Sequence, residues 1–565
     1  MSPSDSWPRT HHELLQHYYG QYDEGIRSGK IQPFVYPWGT FGALFIVVYL
    51  LIPHQDRPWL CKARFLAFTW IAAFAAYSIK YTRARNMAPA FGLGFISAWS
   101  IIWIAAILVV NDAQAEFQRI ERTEGVFGES KREIRLQNEH VDMIRQGESE
   151  QNGVVTNGTI SGDPNALQPK RMENSSNRVA GKGHSQFPHE SLGPSQRHVG
   201  FAWQPFPITP FMERLDWVLD IFCNFRGAGW NWAISSLLPP PKHIQAQLRA
   251  NSSSPPQRIH RVHLGQFHVY TTRRELLLQN LKTLMVGYFI LDALKTIMNH
   301  DPYFWGLTTR SPPAYFPSLL TSHLVLLKMY RLVVSMYIIK WSLQTIFSLA
   351  PLFFCGILGP SLIGARGEPW MYPEAWGSYS IVFDRGLAGW WAGWWHQTFR
   401  FVFEEPSRKI LEITGMDQTA PLSKFLQLVI AFGLSGFLHA CGSYTQPGDT
   451  RPIRGPMQFF LLQALGIFLE GIMRQALRRT GIQCHVPRFL MHVFTFSYVH
   501  VWFYHTSLLL CDDFAKGGIW LYEPIPFSLF RGLGFGVEGD RWWYWGGEWL
   551  RWHRGDRWWR SGIAF

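Results

Sequence analysis

Charged residues are scarce in this 565-residue sequence: 16% of positions are Asp, Glu, Lys or Arg, against 47% hydrophobic. Globular chains carry roughly a quarter charged residues, so this composition disfavours a soluble protein. Cysteine is sparse as well. Its six residues (Cys61, Cys223, Cys355, Cys441, Cys484 and Cys511) form no CxxC pair. Cys355, Cys441 and Cys511 lie in or at the ends of apolar runs, which indicates free thiols rather than a disulfide framework. There is no P-loop, no GxSxG, and no His followed by Asp four or five residues later. The single GxGxG, at 532–536, follows no βαβ pattern and implies no nucleotide fold. No repeat of fixed period occurs, which weighs against an inverted-repeat transporter. Residues 1–33, polar and rich in His and Tyr, lack the pattern of a cleavable signal peptide.

Long apolar runs are present instead. A bilayer core takes about 20 apolar residues per helix, and the runs near 34–53, 65–79, 91–110, 276–298, 316–358, 422–441, 457–473 and 488–510 meet or approach that length. The 316–358 run is long enough for two helices. The expected fold is an all-α polytopic membrane protein of roughly seven to nine transmembrane helices, with re-entrant or interfacial helices besides. The 27 tryptophans fit aromatic belts at the membrane surface. A net charge of +13 raises the question of nucleic acid. The Lys and Arg are scattered through loops beside apolar runs, where anionic headgroups favour them, so the lipid bilayer is the expected partner and nucleic acid is not. The run near 34–53 is expected to act as an uncleaved signal in the endoplasmic reticulum membrane. Orientation is undecided by charge, since loops 54–64 and 80–90 both carry three basic residues.

Five regions follow from these patterns. A polar segment, 1–33, precedes N-terminal transmembrane helices at 34–111. Residues 112–200 are rich in Glu, Arg, Gln, Asn, Ser and Gly, a composition that buries too little apolar area to order itself. They are expected to form a largely disordered insertion, with an exposed helix over 113–147. The main membrane domain is placed at 201–540, opening on an amphipathic interfacial segment, and the Trp/Arg-rich tail 541–565 is expected to lie at the interface. Sequons at Asn157, Asn174 and Asn251 are usable only if their loops face a lumen.

Three sets of residues bear on chemistry. His439 lies in a stretch without formal charge from Phe425 through Gly448. An ionisable group within a span normally faces a cavity or a partner, although a neutral histidine bonded between helices fits the same observation. Gly433, Gly436 and Gly442 flank it and suggest room for a substrate near the backbone. The second set is GLAGWWAGWWHQTFR at 386–400. Read as a helix, it puts Trp391 and Trp395 one turn apart and His396 on one face with Arg400; a plain aromatic belt is the competing account. The third set, His485, His492, His500 and His505, lacks the i, i+4 spacing of paired ligands and reads as structural. No metal site is expected.

The ordered pair of histidine motifs resembles the wax-synthase-like branch of the membrane-bound O-acyltransferases, and within it fungal terpenoid and meroterpenoid acetyltransferases. Leu387-Ala-Gly-Trp390-Trp391-Ala392-Gly-Trp394-Trp395-His396-Gln397 matches the branch's L-x-x-F-W-G-x-x-W-H-Q, with Trp390 for Phe and Ala392 for Gly. Ser435-Gly436-Phe437-Leu438-His439 matches a later Ser-Gly-Leu-Leu-His-like element. NFRGAGWNW (224–232) and EPIPFSLFRGLGFG (523–536) are also similar to fungal members, and the likeness covers most of 205–540.

The resemblance implies acyl transfer from a coenzyme A thioester to a hydroxyl, with acetyl-CoA as co-substrate, no permanently bound cofactor, and a lipophilic alcohol as acceptor. It implies His439 as general base and His396 as a catalytic partner. Trp391, Trp394, Trp395, Gln397 and Ser435 would bind substrate. On charge alone, Arg400, Arg408 and Lys409 are candidates for the coenzyme phosphates. A long-chain wax or sterol ester synthase and a polytopic lipid transporter are the competing functions, as is a scaffold that docks through 112–200.

Overall fold

A computed structural model describes residues 8–126, 200–251, 267–481, 485–546 and 550–564. Expectations for the remainder, including most of the insertion and the sequons at Asn157 and Asn174, lie outside the described residues. The fold is helical, and its longest helices fall on the apolar runs. Among the described residues, five are long and apolar enough to cross a membrane: Pro58–Tyr81, Met87–Val110, Leu324–Leu358, Pro421–Tyr444 and Ile453–Arg479. Arg273–His300 and Arg488–Thr506 are also long, but the first carries six charged side chains and the second is interrupted by histidines. The shorter apolar helix Trp38–Leu51 accounts for the first run. Over 316–358 the long helix Leu324–Leu358 follows a five-residue helix, Ser318–Ser322, so that run supplies one span rather than two.

Small residues set how closely these helices approach. A Cβ on Gly94 would stand 2.0 Å from the Cys441 carbonyl oxygen, so the Met87–Ile104 helix lies directly on Pro421–Tyr444. Gly287 meets the Thr345 hydroxyl in the same way, joining Arg273–His300 to Leu324–Pro351. Large apolar side chains such as Leu66, Trp70, Ile96, Leu324 and Phe494 remain exposed on the outer faces, where a lipid-embedded protein places them.

The insertion begins later than composition suggested. Residues 113–116 form a short helix, and Arg119–Arg122 pairs antiparallel with Phe201–Gln204, Arg119 opposite Gln204 and Arg122 opposite Phe201. Arg119 is 1% exposed and ion-paired to Asp216 (2.8 Å) and Asp220 (3.3 Å) of the Phe211–Cys223 helix. Segment 112–126 therefore belongs to the core, and an exposed helix over 113–147 is excluded where that range is described. The Phe211–Cys223 helix, expected at the interface, buries Trp217, Val218 and Ile221 against this same core. Asn251 ends the Lys242–Asn251 helix, and its side-chain amide donates to the Phe201 carbonyl at 3.2 Å. In the tail, Gly562–Ala564 pairs with both Arg551–His553 and Val35–Tyr36, leaving Trp552 and Trp558 exposed.

Candidate active site

His439 lies near the end of Pro421–Tyr444, a helix opened by proline at its first position and apolar through its middle. Its Nδ1 is 2.8 Å from the Ser435 carbonyl, one turn back. A carbonyl only accepts, so Nδ1 carries the proton and Nε2 keeps its lone pair. The half-buried ring packs against Phe460 (4.4 Å between centroids), Phe95 (5.2 Å) and Phe91 (6.4 Å). Ser435, expected to bind substrate, orients this histidine through its backbone.

His396 lies between helices rather than on one. Ser380–Gly389 continues into a π-helical turn, Trp390–Trp394, and Trp395 is extended (φ −66°, ψ 149°). The next helix starts at Arg400, so the expected shared face of His396 and Arg400 does not form. Two features shape this segment. Gly386 adopts φ +59°, where a Cβ would strike the Glu470 carboxylate, and kinks the chain ahead of the π-helical turn. The Gln397 amide then donates to the carbonyls of Trp391 (2.8 Å) and Trp395 (2.6 Å), groups that a continuing helix would have paired. Gln397 is 4% exposed and also accepts from Arg400 at 3.1 Å, so it holds the turn.

The His396 ring is surrounded by Phe347, Trp395, Trp376 and Phe399, all at 5.6–5.7 Å. Burial first, then the nearby His439 and Arg226, hold its pKa down to about 3. Phe399 packs at a tilt against Phe95 (5.8 Å), and Phe95 touches His439. The two histidines thus border one aromatic lining. Trp391 joins it through Phe460 (5.9 Å), and Trp395 through Trp376 (4.8 Å). Trp394 packs on Trp390 and Tyr379 and also meets Trp376 and Trp395, each at 5.6 Å. Three buried polar atoms here have no hydrogen-bond partner among the described residues: His396 Nδ1, Trp376 Nε1 and Trp391 Nε1. Such groups are available to a bound molecule.

The other expected residues differ in their surroundings. Gly442 abuts Phe91 and Gly436 abuts Met457, so both serve helix contact; Gly433 alone faces open space. Arg400 is paired with Glu404 (2.6 Å), Arg408 with Glu405 (2.6 Å), and Lys409 with Glu412 (3.5 Å). All three charges are met by carboxylates of their own helix. His492 meets Asp384 (3.0 Å) and His500 meets Tyr379 (3.2 Å), in keeping with structural histidines. Arg226 carries no signal of its own in the sequence. It donates to the Pro373 and Glu374 carbonyls, both at 2.8 Å, and burial pushes its pKa down to about 10. Its loop is shaped by Gly227 and Gly229, both at positive φ and both against side chains that a Cβ would strike.

Residues 372–462, a stretch that contains both histidines, match the membrane bound O-acyl transferase family. Acetyltransferase ple2 of Rhodocybe pseudopiperita is 26% identical over 331 residues, 57% of this chain and 73% of that protein. Acetyltransferase nanB of Aspergillus nanangensis is 31% identical over 22% of this chain and 31% of its own length. O-Mevalon transferase yanI of Aspergillus niger is 24% identical over 46% of this chain and 53% of its own length. The chain therefore spans about three-quarters of the first relative and about half or less of the other two. No solved structure matches it.

Proposed function

We propose that this chain, an acyltransferase of the membrane-bound O-acyltransferase family, moves acetyl from acetyl-CoA to a hydroxyl of a lipophilic terpenoid or meroterpenoid metabolite. The carrying observation is the hydrogen bond from His439 Nδ1 to the Ser435 carbonyl, which leaves Nε2 as a basic nitrogen inside an aromatic lining. A hydroxyl is a weak nucleophile, and a base must remove its proton as the new bond forms. Nε2 takes that proton while the hydroxyl oxygen attacks the thioester carbon. The tetrahedral oxyanion collapses with C–S cleavage, and the departing thiolate recovers the proton from His439. His396, held neutral, would donate through its ring N–H to the developing oxyanion, and the Trp376 and Trp391 indoles are further unspent donors. The aromatic walls favour an apolar acceptor delivered from the bilayer, and they exclude the water that would hydrolyse the thioester.

A second donor is favoured by one relative's name, O-Mevalon transferase, which points to an acyl group other than acetyl. Membranes containing the chain, given labelled acetyl-CoA, a mevalonyl thioester of coenzyme A, palmitoyl-CoA and a panel of polycyclic alcohols, will separate these cases. Ester formation from acetyl-CoA is the expected result. His439→Ala should lower turnover by about 10²–10⁴-fold, the usual contribution of a general base. A well-inserted His439→Ala variant with full turnover would sink the assignment.

A further inference from the structure

The first turn of the His11–Arg27 helix meets the loop at 537–540. His11 is 1% exposed, and neither of its ring nitrogens has a hydrogen-bond partner. Its Nε2 stands 3.4 Å from Asp540 Oδ1, and His12 Nε2 stands 3.0 Å from the same oxygen. The ligand atoms of the three side chains all lie within 4.8 Å of one another. The other carboxylate oxygen, Oδ2, accepts from the Val537 N–H at 3.0 Å, which fixes the carboxylate plane. Gly539 turns the loop at φ +89° and packs against the His12 ring.

A hydrogen bond between His12 and Asp540 accounts for two of these residues. It leaves His11 without explanation, because a buried imidazole normally finds a partner. Donor atoms held 2.0–2.2 Å from a tetrahedral zinc stand about 3.3 Å apart, and the two measured separations, 3.0 and 3.4 Å, bracket that spacing. Two imidazoles and one carboxylate also suit a borderline divalent ion. Two cations are nearby, but both are engaged by Glu523: Lys295 at 3.7 Å and Arg531 at 2.9 Å. Among the described residues, Asp540 stands within ion-pair distance of His11 and His12 but of neither cation.

We propose that His11, His12 and Asp540 bind a divalent first-row transition ion, zinc being the best match, with a solvent molecule in the fourth position. The ion would clasp two segments more than 500 residues apart in sequence, and nothing in the acyl-transfer scheme depends on it. Tag-free protein in detergent, stripped with chelator and titrated with zinc or cobalt, tests this. The expected result is one ion per chain, a rise in Tm on metal addition, and the visible absorption of tetrahedral cobalt. Asp540→Asn and His11→Gln should abolish stoichiometric binding and the Tm response, whereas His485→Gln, at a histidine outside the trio, should change neither. Sub-stoichiometric binding, or binding that survives Asp540→Asn, overturns the proposal. Should the variants fail to insert, the wild-type cobalt spectrum decides, since the weak absorption of octahedral cobalt would also overturn it.

Discussion

At the residue scale, the two histidines differ in what fixes their protonation. The Ser435 carbonyl assigns the tautomer of His439, while burial and two neighbours keep His396 neutral. The latter has a consequence for stability. His396 titrates near 6.5 when unfolded and near 3 in place, so the unfolded chain binds more protons between those values. Stability contributed by neutral His396 is complete above about pH 6.5 and is lost progressively as pH falls toward 3. Melting in detergent from pH 7 to pH 4 should therefore fall more steeply for wild type than for His396→Asn, and equal slopes would count against this account. His439 was legible in sequence because no other group between Phe425 and Gly448 carries a formal charge. Arg226, Trp376 and Phe95 were not, because they reach the site from distant segments and look ordinary in their own. His11 and Asp540 escaped notice for the same reason: a ligand set split across 529 positions has no spacing to recognise.

At the scale of elements, apolar run length located the long helices, since burial in lipid demands it. Breaks within aromatic sequence were less visible. The 386–400 segment reads as continuous helix, yet Gly386 kinks it at its start and the Gln397 side chain caps it at Trp395. The kink depends on Glu470 and the ending on backbone groups of the turn, none of which a periodicity reports. The glycines of the His439 helix and its neighbour give a sharper test. A Cβ on Gly94 would stand 2.0 Å from a backbone carbonyl, which cannot rotate away as a side chain would. Gly94→Ala should therefore destabilise by about 1–3 kcal/mol, the usual range for overpacking. Gly433 has nothing within 4 Å, and Gly433→Ala should stay within about 0.5 kcal/mol of wild type. Thermal melts of the two variants in one detergent check the contrast. A neutral Gly94→Ala would mean that the Met87–Ile104 and Pro421–Tyr444 helices pack less tightly than described here.

At the scale of the whole molecule, the boundary of the polar insertion matters more than its composition. Composition marked 112–200 as one block because polar residues dominate it, but composition cannot register a salt bridge to a helix a hundred residues away. The Arg119 guanidinium reaches Asp216 and Asp220, and even beside it burial pushes the Asp220 carboxyl up to about 6. Removing Arg119 would leave the buried Asp220 without its counter-charge, a loss of about 3–5 kcal/mol for a broken buried pair, although Asp216 would keep Arg366. The strands that carry this stem also bring the two flanks together: the Thr123 N–H donates to the Gly200 carbonyl at 2.8 Å, and the Gly200 N–H donates to the Thr123 hydroxyl at 3.3 Å. A short Gly/Ser linker can thus replace 127–199 without moving either strand. That replacement should preserve insertion, Tm and ester formation, whereas deletion of 112–200 should abolish all three. Fluorescence-detected size exclusion and the acetyl-transfer assay on both deletions will separate the outcomes. Loss of turnover in a well-inserted 127–199 replacement would instead assign that segment a direct part in catalysis or substrate delivery. Survival of the larger deletion would show that the Arg119 stem is dispensable to the fold.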